Sequence, residues 1–167
     1  MFALLANIAW GYAQTYAPCS SVEATYLTAP SASTLPAAKP KLSLVALKNV
    51  LVIQERVSDN QVKSHRVTFQ TPSALSELSE VCEITPIALI QGGDWGWHVL
   101  WQTAKGIFYA RVDGEAWVSS VPKRLAEHGF DVRMQVNGER LHVEWNTSIE
   151  QTQPHRVVSV DEGRNWE

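Results

Sequence analysis

Charge is sparse in this sequence. Asp, Glu, Lys and Arg make up 19% of 167 residues, 14 basic against 17 acidic, for a net charge of −3. A partner bound through phosphates needs a basic face, and this balance gives no case for nucleic acid. Cysteine is almost missing too, with two, Cys19 and Cys82. Either they pair in an oxidising compartment, tying the N-terminal segment to the strand-rich half, or they are two unrelated thiols. The five histidines, at 65, 98, 128, 142 and 155, have no Cys or carboxylate at ligand spacing, so no zinc site is expected. The apolar opening run falls short of the ~20 residues that span a bilayer as a helix. There is no G-x-S-x-G, no phosphate loop and no paired-carboxylate spacing, and no cofactor is implied.

The first residues, MFALLANIAWGYAQ, resemble the apolar part of a secretory signal over positions 1–13, with small Gly11 and Ala13 placed for cleavage before Gln14. Export to the periplasm or the medium is the expectation. The missing basic n-region leaves two other readings, a different start codon or a buried first strand or helix. Tyr-Ala-Pro before Cys19 is a poor lipidation context. Residues 14–41 form an arm or linker, rich in Ala, Ser, Thr and Pro from Thr25 onward, and are expected to be extended and poorly packed. From Leu42 the chain becomes a series of short β-branched or aromatic runs separated by Gly, Asn, Asp and Lys, which is all-β spacing. Only SALSELSEV (73–81) and PKRLAEHG (122–129) have helical character, and both are short.

Seven tryptophans are present, six of them between Trp95 and Trp166. They mark a repeat. PIALIQGGDWGWHVLWQTAKGIFYARVDGEAW overlays VRMQVNGERLHVEWNTSIEQTQPHRVVSVDEGRNW as strand, turn, strand ending in Trp, loop, strand, Asp/Gly turn, Trp. LSLVALKNVLVIQERVSDNQVKSHRVTF is a weaker copy, with Gln54 placed like Gln102. A period of about 45 residues with four strands per unit predicts consecutive β-propeller blades over 42–167; the alternative is a meandering sandwich.

The second unit of that overlay ends in Ser159-Val-Asp161-Glu-Gly163-Arg-Asn-Trp166. Locally this is turn chemistry: Asp161 accepts from backbone N–H groups ahead of it, Gly163 takes positive φ, and Trp166 re-enters an apolar layer. The pattern S-x-D-x-G-x-x-W resembles the Asp-box, or bacterial neuraminidase repeat, of sialidase-like β-propellers. ARVDGEAW, with Asp113, Gly114 and Trp117, is similar to a worn copy. The likeness spans residues 84–167 and, weakly, 42–72. It implies that the box is a structural turn between a blade's third and fourth strands, on the face opposite the active site. Ser159 and Asp161 would then brace the turn and Trp166 would pack between strands. The chain stops where a fourth strand should begin, and three units do not close a ring. The expectation is part of a longer propeller, or self-association through an open blade edge.

Sialidases resemble one another in an arginine cluster, a Phe/Tyr-Arg-Ile-Pro motif, a Tyr/Glu nucleophile pair and an acid/base Asp. No Arg-Ile-Pro occurs here. Asp131 and Arg133 in FDVRMQV share one strand face, opposite Val132, Met134 and Val136, and either line a ring mouth or form an ordinary solvated face. Arg111 and Tyr109 in FYARV pose the same choice. Trp95 and Trp97 in GGDWGWH either stack on a flat ligand or fill the core. The resemblance therefore implies a non-catalytic module that binds a glycan or a protein. The alternatives are a portion of a sialidase-type glycoside hydrolase (an exo-α-sialidase) and an immunity-type protein that neutralises a partner.

Overall fold

A computed structural model describes residues 20–26, 41–47, 50–58, 61–70, 83–150 and 152–167. The apolar segment 1–13, Cys19, Cys82 and the helix candidate at 73–81 lie outside them. The described residues form an all-β structure without helix, and no helix among them is long and apolar enough to cross a membrane. Eleven strands follow in chain order: β1 (Ser20–Thr25), β2 (Lys41–Leu47), β3 (Val50–Ser58), β4 (Gln61–Gln70), β5 (Ile84–Gly92), β6 (Gly96–Thr103), β7 (Gly106–Asp113), β8 (Lys123–Ala126), β9 (Phe130–Asn137), β10 (Arg140–Asn146) and β11 (His155–Ser159).

Three antiparallel meanders account for ten of them: β2–β4, β5–β8 and β9–β11. These are the three copies of the sequence repeat, with Trp101 on β6 and Trp145 at the matching place on β10. The hydrogen bonding differs from the expected three separate sheets. There are two, an eight-stranded sheet in the order β4-β3-β2-β1-β5-β6-β7-β8 and a three-stranded one, β11-β10-β9. The join is β1, antiparallel to β2 and parallel to β5 through Ala24↔Leu89 and Thr25↔Ile90. This corrects the reading of a poorly packed arm for Ser20–Tyr26. Val22, Ala24 and Tyr26 pack against the core, with the Tyr26 ring edge-on to Trp97 at 5.3 Å. β8 corrects the helical reading of 122–129. A helix of so few residues has no cooperative support, whereas the β7 edge offers ladder partners at Tyr109, Phe108 and Ile107.

The large sheet is folded back on itself. Six strand spacings separate β4 from β7, roughly 29 Å on a flat sheet. Yet His65 of β4 stacks on Trp117, just beyond β7, with ring centroids 3.7 Å apart. The first two meanders therefore enclose a core of Leu44, Leu51, Ile53, Val99, Trp101 and Ala110, all fully buried. A second layer, with Leu100, Ile107, Tyr109, Leu141, Val143 and Trp145, lies between the second meander and the third. The middle meander is covered on both faces, so β6 and β7 are nearly continuous in burial, while β10, with one covered face, alternates.

Candidate functional site

Both Asp turns lie at one end of the meanders. In the C-terminal turn the Ser159 hydroxyl donates to Asp161 Oδ1 at 2.8 Å and accepts from the Gly163 N–H at 2.8 Å. Asp161 accepts from the Asn165 N–H at 2.8 Å and from its side-chain amide at 2.7 Å. The backbone N–H of Asn165, with Ser159 adding to it, holds the Asp161 carboxyl down at about 2. Gly163 adopts φ 81°, where an L side chain is strained, and a Cβ there would run into the Tyr109 phenol. Val158 and Glu167 then exchange both backbone hydrogen bonds, at 2.8 and 2.9 Å, which is antiparallel pairing. The earlier turn repeats the device with fewer parts. Asp113 Oδ1 accepts from the Glu115 and Ala116 N–H groups at 2.9 and 2.6 Å, which lowers its pKa. Each turn's tryptophan rests on the third strand of the preceding meander, Trp117 on His65 and Trp166 edge-on to Tyr109 at 4.8 Å.

Tyr109 and Arg111 belong to this end. Tyr109 is buried, with its hydroxyl 2.7 Å from His98 Nδ1 and 3.3 Å from the Glu162 carbonyl. Burial pushes the phenol well above its ordinary value, despite the nearby Arg111 charge. Burial, reinforced by Arg111, lowers His98 to about 4, so the imidazole is neutral at pH 7. The phenol has one proton. Given to the Glu162 carbonyl, it leaves the oxygen to accept from a His98 protonated at Nδ1. Arg111 lies 4.0 Å over the Trp95 ring and 3.6 Å from the Glu162 carboxylate, which also meets Arg164 at 3.3 Å. Chemically this is a closed lock between two meanders. A nucleophile needs access and a low pKa, and Tyr109 has neither.

Asp131 and Arg133 lie at the other end. The turn joining β9 to β10, at Gly138 and Glu139, touches the C-terminal Asp turn through the bond from Glu162 N–H to the Glu139 carbonyl. Residues 130–133 start β9 and are therefore remote from it. Arg133 grips the Asp131 carboxylate in a two-pronged contact at 2.9 Å to each oxygen, and both side chains are half-exposed or more. Two irregularities coincide here. Asp131 is a non-glycine residue at φ 51°, a conformation that costs of order 1–3 kcal/mol, and the β9–β10 register slips between Glu144 and Asn146. Beside them is a cavity of about 240 Å³ lined by Asp131, Arg133, Glu144, Asn146, Thr152 and Pro154. Arg133 also lines a larger groove, about 360 Å³, where Glu23 of β1, Ile87 and Ile90 of β5 and Met134 of β9 meet.

The structure thus divides the four residues singled out as ligand-facing. Tyr109 is buried and Arg111 partly covered among the Asp turns; Asp131 and Arg133 are open at the opposite end. Trp97 fills the core, and Trp95 carries Arg111. Sequence reasoning missed His98, Asn146, Thr152 and Glu23. His98 had one signal, its position in the middle of a run with no polar face. No family model matches this chain, and no curated protein or solved structure matches it either.

Proposed function

We propose that this chain is an exported, sialidase-like Asp-box propeller that works as a non-catalytic glycan-binding module, meeting its ligand at the end away from the Asp turns. The observation that carries the reading is the division of labour between the two ends. At one, both Asp turns satisfy their own hydrogen bonds and send a tryptophan inward. At the other, two cavities share the exposed Arg133. Blade-like stacking is supported by the three meanders in chain order, each consecutive pair enclosing an apolar layer. Export rests on the apolar segment 1–13 and predicts a mature N-terminus near Gln14, read by intact-mass analysis. The burial of Tyr109 and its raised pKa support binding over hydrolysis through that residue. Purified protein should match the no-enzyme blank with a fluorogenic sialoside, and on a glycan array it should retain a subset of glycans in an Arg133-dependent way. An array with nothing retained, or sialoside turnover abolished by Tyr109→Phe, overturns this reading.

A further inference from the structure

The corner where β9 begins and β10 ends places a strained residue, a register slip and a polar cavity together. Register puts Arg133 opposite Glu144, and Asn146, two residues along β10, shares the Glu144 side, so these three side chains meet on the outward face of the third meander. The charges there are already matched. Asp131 is held by Arg133, and Glu144 lies 3.7 Å from Arg156. A net anion would face two carboxylates and a net cation two guanidiniums, so neither gains. The lining presents hydrogen-bonding groups of both kinds: carboxylate lone pairs, guanidinium N–H groups, the Asn146 amide and the Thr152 hydroxyl. A group that donates and accepts at once, on adjacent carbons, uses all of them. Pro154, also in the lining, offers an apolar surface to C–H bonds.

We propose that this corner binds a neutral pyranose, with Asp131, Arg133, Glu144 and Asn146 addressing vicinal hydroxyls, Thr152 closing the rim and Pro154 meeting the ring's C–H face. This rests on the glycan-binding reading and adds the site and the charge class of the sugar. The site is built before any ligand arrives. The two-pronged Arg133 contact fixes the Asp131 carboxylate, and Asp131 itself lines the cavity.

Amide-resolved NMR titration with a panel of neutral methyl hexosides and, separately, a methyl sialoside tests it. Saturable shifts are expected for at least one neutral hexoside at residues 130–133, 144–146 and 152, with affinity of order 1 mM. The pair Asn146→Ala and Thr152→Ala should weaken that binding about tenfold while leaving the Tm within error. Should the pair lower the Tm, Asn146→Asp serves instead, since it keeps the size and loses the amide donors. Shifts confined to the groove residues Glu23, Ile87 and Met134, a response to the sialoside alone, or unchanged affinity in the variants each overturn the corner site. Array binding can survive all three, so loss of this site is distinguishable from loss of the glycan-binding reading.

Discussion

At Gly163 a single hydrogen atom decides whether the last turn forms. Its φ of 81° and the Tyr109 phenol against its α-carbon leave no room for a methyl group, and Gly163→Ala should cost more than about 1 kcal/mol in urea denaturation. Acid should act in two separate windows. His98 has its folded-state pKa lowered to about 4, so the unfolded chain takes up the proton first; stability falls as pH drops from the ordinary histidine range through about 4. Asp161 is likewise depressed, to about 2, and its contribution, complete above the ordinary carboxylate range, disappears as pH falls through about 2. Tm measured against pH should show both slopes; His98→Gln should flatten the upper one alone and Asp161→Asn the lower one alone. Ser159, Asp161 and Gly163 were legible in the sequence because the contacts that matter fall within four residues. The His98–Tyr109 bond was not, because its partners sit on neighbouring strands and no local pattern announces which polar group a buried histidine will find.

Among the elements, the meanders were readable from the repeat, and β1 was not. SSVEAT has two apolar positions and precedes a Pro-rich stretch, so composition spoke for an arm. It is a strand because Leu44 and Val45 on one side and Leu89 and Ile90 on the other present ladder partners, a case of neighbours overriding local preference. β8 formed against its helical look for the same reason. The tryptophans should rank by how fully they are enclosed. Trp101, with no exposed surface, should cost about 3–5 kcal/mol on truncation to alanine, and Trp117→Ala, stacked on His65 but only partly buried, should cost less. Equal midpoints for the two variants in chemical denaturation would contradict the layered core.

Over the whole molecule, the two apolar layers make the middle meander the stability maximum. Amide exchange should be slowest in β6 and β7, which have cover on both faces, and faster in β11, whose residues are exposed or half-buried apart from Ser159. Mass-spectrometric exchange showing β11 as protected as β6 would rule this out. The seating of the two turn tryptophans also has a direction. Trp117 rests on His65 and Trp166 on Tyr109; each of these two seats is encoded upstream of its occupant. A ribosome releasing the chain N-terminus first, at about 5–20 residues per second, therefore delivers both of these sockets before their plugs. Synthesis and assembly run in the same sense, and a stalled chain is left with an empty socket rather than a stranded aromatic ring.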